Sequence, residues 1–159
     1  MQALKVINWD ISFLEIPNEI TLCFNISNCP IKCPDCHSKF LWNDTGEVLT
    51  RDLISILINK NEGITCICFM GGDLSPSYIN ILAKHIKKTS SLKVGWYSGS
   101  SIISDKIDPK WFDFLKIGPY IKELGGLDSP TTNQKMFKIE HEKDKYKFIN
   151  ITTSFIELW

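Results

Sequence analysis

Apolar and polar residues alternate along several short segments of the chain, and this pattern predicts β-strands. The segment ITLCFNI (20–26) places its isoleucines, leucine and phenylalanine on one face and threonine, cysteine and asparagine on the other. The segment ITCICFM (64–70) is almost continuously apolar, which is typical of a strand covered on both faces, as in a parallel sheet. Two further strands are predicted at 92–99 and around 114–117.

The segments between these strands have the pattern of helices. Apolar residues recur at helical spacing after Thr50, which is a suitable N-cap, and a second helix is predicted to begin at Ser75 and Pro76. Strands that alternate with helices indicate βαβ units with right-handed crossovers. We therefore predict an α/β fold with mostly parallel strands.

Beyond residue 121 the pattern changes. The stretch KELGGLDSPTTNQK is rich in turn residues, and MFKIEHEKDKYKFINI has the pattern of two strands joined by a polar turn. We expect a C-terminal β-hairpin beside the sheet. The 159 residues are predicted to form a single domain, 1–159, with a core at about 15–125 and the hairpin extension at about 126–159.

Composition and charge narrow the possible partners. Hydrophobic residues make up 43% of the chain and charged residues 23%, as in a folded globular domain. Basic and acidic residues both number 18 and no long basic run occurs, so we expect no nucleic-acid partner. The sequence contains neither a secretion-type start nor an apolar stretch long enough to span a membrane, so we expect a cytoplasmic protein with no membrane partner.

Three of the six cysteines lie close together in NCPIKCPDCHS (28–38). Cys29, Cys33 and Cys36 follow the spacing C-x3-C-x2-C in the loop that leaves the first predicted strand, and such clustering favours a metal over disulfides. Three thiolates leave one position of a tetrahedral zinc, or one iron of a 4Fe-4S cluster, open for a substrate. The alternative is a structural Cys3His zinc site with His37 as the fourth ligand. The remaining cysteines lie inside predicted strands and are interpreted as core residues: Cys23, Cys66 and Cys68.

Two weaker motifs follow the next two predicted strands. In MGGDLSP (70–76) two glycines let the backbone approach a ligand, and Asp73 adds a carboxylate that suits an ammonium group. WYSGS (96–100) closes the following strand with hydroxyls and a glycine, and either motif alone is also compatible with an ordinary strand-to-helix connection. Since all three motifs follow consecutive strands, we expect one site at the mouth of a partial α/β barrel.

The cysteine motif followed by a Gly-Gly-acid turn resembles the radical S-adenosylmethionine superfamily. Within it, CPIKCPDCHS, FMGGDLSP, WYSGS and GPYIKELGGLDSPTTNQK are similar to the activating proteins of anaerobic (class III) ribonucleoside-triphosphate reductases, and the resemblance covers about residues 15–140. The chain departs from the superfamily at two points. Asp35 stands where an aromatic residue often precedes the last cysteine, and Asp73 stands where the turn usually has Glu.

The resemblance implies a fold, an activity and cofactors. The fold would be an incomplete radical-SAM-type βα barrel. The activity would be reductive cleavage of S-adenosylmethionine at a 4Fe-4S cluster held by Cys29, Cys33 and Cys36, followed by formation of a glycyl radical on the reductase. No side chain would act as a catalytic residue, because the cluster and S-adenosylmethionine carry the chemistry. Flavodoxin or ferredoxin would donate the electron.

The resemblance also places residues around S-adenosylmethionine. Its amino group would be held by Gly71, Gly72 and Asp73. Its adenine would face the backbone of Asp35, Cys36 and His37, and its ribose or carboxylate would contact Tyr97 or Ser98. A further polar segment either contacts the reductase or forms a plain loop: Asn133, Gln134 and Lys135.

Two other functions stay open from the sequence. One is the activation of a different glycyl-radical enzyme, although many such activases carry additional cysteine-rich segments and this chain has none. The other, from a different class, is a Cys3His zinc-binding interaction module without catalysis.

Overall fold

The computed structural model describes residues 1–156, which form one eight-stranded sheet with two α-helices. The strands are β1 (Lys5–Ser12), β2 (Thr21–Ile26), β3 (Glu47–Val48), β4 (Cys66–Met70), β5 (Lys93–Tyr97), β6 (Phe114–Ile117), β7 (Lys135–Glu142) and β8 (Lys145–Asn150). The helices are α1 (Arg51–Lys60) and α2 (Pro76–Thr89), with short 3-10 helices at Lys39–Trp42, Pro109–Trp111 and Thr152–Phe155.

The centre of the sheet is parallel and its two sides are antiparallel. The strand order is β3-β1-β2-β4-β5-β6-β7-β8, and β2, β4, β5 and β6 pair in parallel. These four are the strands that the apolar pattern predicts. The apolar pattern does not predict β1 or β3. β1 is half exposed and interrupted by a bulge between Val6 and Asn8, which weakens its alternation, and β3 is only two exposed residues long. The relation of this sheet to a partial barrel stays a prediction.

Both helices begin where the sequence predicts. Thr50 caps α1, since its hydroxyl accepts a hydrogen bond from the Leu53 backbone N–H at 3.0 Å. Ser75 occupies the N-cap position of α2 but makes no capping hydrogen bond with its side chain; Pro76 at the first helical position needs no N–H partner. The buried faces of the helices cover one side of the sheet with Ile54, Leu57, Ile79, Leu82, Ala83 and Ile86.

The opposite side of the sheet carries a smaller core. It contains the cysteines of β2 and β4 together with Ile16, Phe114, Met136 and Phe155. Cys23, Cys66 and Cys68 are almost completely buried, so their interpretation as core residues is confirmed. Toward the carboxyl ends of the parallel strands this core gives way to open cavities.

The C-terminal part forms the antiparallel pair β7 and β8, as the sequence predicts. The pair joins the sheet through β6, with which β7 runs antiparallel. The last residues of the predicted extension, 157–159, lie outside the described residues. Neither α1 nor α2, nor any other helix within residues 1–156, has the length and apolar character needed to cross a membrane.

Candidate iron–sulfur site

The loop after β2 is held in place by backbone hydrogen bonds and by one close contact. The Cys29 N–H donates to the Leu41 carbonyl at 3.0 Å, and the Cys36 N–H donates to the Cys33 carbonyl at 3.1 Å, which closes a tight turn. Ile31 packs on Gly99, where a Cβ would lie 2.9 Å from Ile31 Cγ1. The loop therefore rests on the residues that follow β5, at the carboxyl end of the parallel strands.

Cys29, Cys33 and Cys36 are half-buried and line one cavity of about 170 Å³, here called the cysteine cavity. Two backbone groups point at their sulfur atoms: the Ser38 N–H lies 3.3 Å from Cys36 Sγ, and the Tyr120 N–H lies 3.3 Å from Cys33 Sγ. Hydrogen bonds to ligand sulfurs are one of the means by which proteins stabilise iron–sulfur clusters and tune their potentials.

The three cysteines share one cavity without converging on a single point. Among residues 1–156, no group of three or more His, Cys, Asp or Glu side chains converges closely enough to surround one metal ion. A 4Fe-4S cluster has a different requirement, because each thiolate binds a separate iron and the sulfurs stand further apart. Three thiolates on one cavity wall, two of them with N–H donors, are a suitable donor set for such a cluster.

The two glycines after β4 have different surroundings. Gly71, at φ +100°, lines the cysteine cavity, and a Cβ there would lie 3.1 Å from the Ile26 carbonyl oxygen. Gly72, at φ +98°, does not line the cysteine cavity: a Cβ would lie 2.6 Å from Ile79 Cδ1. Gly72 thus lets α2 pack closely against the end of β4, while Gly71 faces the site.

Asp73 lies in the wall of the cysteine cavity with its carboxylate held by two donors. The Ser98 hydroxyl donates to Oδ1 at 2.5 Å and the Gly99 N–H donates to Oδ2 at 2.9 Å. Ser98 itself is buried and does not line the cysteine cavity. The motifs after β4 and β5 are therefore joined, with Ser98 orienting Asp73.

A larger cavity of about 690 Å³ adjoins the cysteine cavity, within the range of small-molecule sites. Both cavities are lined by Cys36, Ser38, Met70, Tyr97, Lys116, Tyr120 and Gln134. His37 lies in the wall of the large cavity with its ring 4.8 Å from that of Tyr120, whereas Asp35 is exposed and lines neither cavity. The Gly125–Ser129 segment closes another part of this wall.

Tyr97 contributes its ring to both cavities, and its hydroxyl donates to the Glu15 backbone carbonyl. Burial raises the pKa of Tyr97 well above its ordinary value, so the phenol stays protonated. Burial also raises the pKa of the Glu15 carboxyl, which lines the large cavity. Of the polar segment 133–135, Gln134 is buried beside both cavities, and Asn133 donates to the Pro119 carbonyl at 3.0 Å.

Two residues of the site were not found in the sequence analysis. Tyr120 reaches the loop from 87 positions along the chain, and no local motif marks it. Lys116 stands within FLKI, a strand in which all four residues are buried. A lysine inside such an apolar strand is the signal that could have identified it, because lysines are almost never fully buried without a reason.

The cysteine loop, the sulfur-directed N–H groups and the cavity together define an iron–sulfur protein. Residues 20–118 match the family described as "4Fe-4S single cluster domain", and the chain belongs to that family. Searches of the curated proteins and of the solved structures each found no match.

Proposed function

We propose that this protein is a radical S-adenosylmethionine activase that generates a glycyl radical on an anaerobic ribonucleoside-triphosphate reductase. In this proposal β2, β4, β5 and β6 are the parallel strands of an incomplete radical-SAM-type barrel. The observation that carries the proposal is the adjacency of the two cavities. A cavity lined by three cysteines opens beside a larger one, and Cys36 lies in both walls.

In the proposed mechanism the cofactors carry the redox chemistry and the protein positions them. Cys29, Cys33 and Cys36 would hold three irons of the cluster and leave the fourth iron without a cysteine ligand. When bound, the cluster and S-adenosylmethionine supply one-electron cleavage of the sulfonium and removal of a hydrogen atom from a glycine Cα. The protein's own part is to hold and orient these groups and to limit access of water.

Asp73 and Gly71 are suited to the amino group of S-adenosylmethionine. The Asp73 carboxylate lies in the cysteine cavity wall, and its two donors limit its rotation. Gly71 brings backbone close to the same space without a side chain. An ammonium group that met this carboxylate would gain a charge-assisted hydrogen bond without a further ordering cost.

The large cavity suits the adenosine part. The rings of His37 and Tyr120 are tilted by 55° to each other, and either ring would offer adenine an aromatic face in place of the aromatic residue that is missing at Asp35. The cavity volume of about 690 Å³ suits a nucleoside together with an approaching peptide segment. We infer that the glycine loop of the reductase would enter here, and that flavodoxin or ferredoxin would supply the electron.

The first experiment is spectroscopic. Protein purified without oxygen should be brown and should lose much of that colour when reduced with dithionite. The low-temperature electron paramagnetic resonance signal of the reduced cluster should then change when S-adenosylmethionine is added. Asp73→Asn should retain the cluster but need a higher cofactor concentration for the same change, because the ammonium loses its charged partner. A colourless protein that holds one zinc after anaerobic reconstitution with iron and sulfide would refute the proposal and favour the zinc module.

The partner is tested separately. The reduced protein, S-adenosylmethionine and a class III reductase should together give the resonance of a glycyl radical on the reductase, and omission of any component should abolish it. The same mixture with another glycyl-radical enzyme, such as a formate-lyase type, is the control. A radical on that enzyme alone would transfer the proposal to the other class of activase.

A further inference from the structure

Lys116 is a buried cation beside the proposed cluster. It alternates with Leu115 and Ile117 in β6 and therefore lies on the face that carries the cavities, where 8% of its surface is exposed. Its side chain lines both the cysteine cavity and the large cavity. No part of the proposed function uses this charge.

The hydrogen bonds of Lys116 hold its ammonium without neutralising it. The Nζ atom donates to the Gly118 carbonyl at 2.8 Å and to the Ser98 carbonyl at 3.2 Å. Among residues 1–156, no carboxylate lies within ion-pair distance of it. A buried ammonium bonded only to carbonyls is costly, so the fold itself gives no reason for a lysine here.

The surroundings of Lys116 show where its charge acts. Burial lowers its pKa to about 8, and the negative charges of Asp73, Cys33, Cys36 and Cys29 oppose that lowering. Asp73 contributes the largest of these opposing charges, and the others come from the three cysteines that line the same cavity.

We propose that Lys116 makes the iron–sulfur cluster easier to reduce, because its ammonium in the shared cavity wall stabilises the additional negative charge of the reduced state. Reduction adds one electron from an external reductant such as dithionite to the cluster and breaks no bond. Net charge, hydrogen bonding and exposure set cluster potentials, and a charge inside the protein acts at a lower effective dielectric constant than one in water. The proposal requires the cluster and is independent of the proposed reaction with S-adenosylmethionine.

The test is a redox titration of the reconstituted holoprotein, followed by electron paramagnetic resonance. Lys116→Met removes the charge and keeps most of the side-chain volume, while Lys116→Gln removes the charge and keeps an N–H donor for the two carbonyls. Each should lower the equilibrium constant for reduction at least tenfold, which is about 59 mV for a one-electron couple. Lys116→Arg retains the charge and should stay near the wild-type potential.

Lys135 provides the matched control. It lies in the neighbouring strand β7, opposite Ile117, and is exposed to solvent. Lys135→Met makes the same change in net charge, but solvent screens that position, so the equilibrium constant should change less than about twofold. This variant separates a local effect of Lys116 from an effect of total charge.

Four results would overturn the proposal. One is an unchanged potential in Lys116→Met and Lys116→Gln that hold wild-type amounts of iron and sulfide. Another is an equal shift in Lys135→Met. The third is unfolding of both neutral variants, which would assign Lys116 a purely structural role. Loss of the cluster from both folded neutral variants, with retention in Lys116→Arg, would assign the charge to cluster assembly and not to the potential, and would also overturn the proposal.

Discussion

The six cysteines form two groups with the same side chain and opposite chemistry. The loop cysteines are Cys29, Cys33 and Cys36, and the strand cysteines are Cys23, Cys66 and Cys68. The loop cysteines are half-buried around a cavity, and backbone N–H groups reach two of their sulfurs. The strand cysteines are buried in β2 and β4 among apolar side chains.

Burial keeps the strand cysteines in the thiol form. Desolvation raises the pKa of Cys23 to about 12 and raises the pKa values of Cys66 and Cys68 above the ordinary value of 9.0 as well. The strand thiols therefore stay protonated at neutral pH, and a protonated thiol neither binds metal nor reacts as a nucleophile. Burial thus sets the strand cysteines apart from the site, while the loop cysteines line its cavity.

The test with the largest expected effect replaces one cysteine of each group by alanine. Cys33→Ala should abolish cluster assembly, because a two-cysteine site leaves half of the irons without a protein ligand. Cys66→Ala should assemble the cluster in wild-type amount, since Cys66 lies in the strand core and lines neither cavity. The measurement is iron and sulfide content with the visible absorbance after anaerobic reconstitution. Wild-type iron content in Cys33→Ala would show that Cys33 is not needed as a cluster ligand.

The second test measures stability instead of iron content, and here the strand cysteine should show the larger effect. Cys68 is fully buried with its Sγ 3.6 Å from Met70 Sδ, so Cys68→Ser places a hydroxyl in apolar surroundings and should lower the free energy of unfolding by about 1–3 kcal/mol. Cys36 is half-buried, so the free energy of unfolding of Cys36→Ser should stay within about 0.5 kcal/mol of the wild-type value. Guanidinium unfolding of the iron-free proteins, followed by tryptophan fluorescence, measures both.

The iron content of the same two variants is the control for this second test. Cys68→Ser should still take up iron at the wild-type level, while Cys36→Ser should not. Loss of iron from Cys68→Ser without loss of stability would show that a strand cysteine serves the site.

The cysteine loop and the parallel strands could be predicted because their signals are local. The spacing of Cys29, Cys33 and Cys36 is visible within eight positions, and the apolar pattern of the four parallel strands needs no knowledge of their partners. The burial of Cys66 and Cys68 followed from the same pattern.

The rest of the site depends on contacts between distant segments. Gly71 and Gly72 are equivalent in sequence, and only the packing of Ile79 against Gly72 distinguishes them. Tyr120 joins two loops that are far apart in the chain. Its backbone N–H donates a hydrogen bond to Cys33 Sγ, and its ring packs against that of His37. Sequence patterns report which residues face a core, and they do not report which loops meet above it.

The last expected effect is a pH dependence that belongs to the strand cysteines. The pKa of Cys23 is raised from 9.0 to about 12 by burial, so the folded state binds this proton more tightly than the unfolded state does. Its contribution to stability is complete below about pH 9 and is lost as the pH rises toward 12. Cys23→Ala should cost stability at every pH and should also reduce the decline between pH 9 and 12.

The difference between wild type and Cys23→Ala isolates this contribution, because other shifted groups act in both proteins. Lys116 is one of them: its pKa is lowered to about 8 by burial, so its own contribution rises with pH between about 8 and 10.5. The measurement is the free energy of unfolding of iron-free protein in steps from pH 8 to 11. A difference that stays constant over that range would mean that the Cys23 thiol ionises as readily in the folded protein as in the unfolded chain. Its buried position alone would then set Cys23 apart from the loop cysteines.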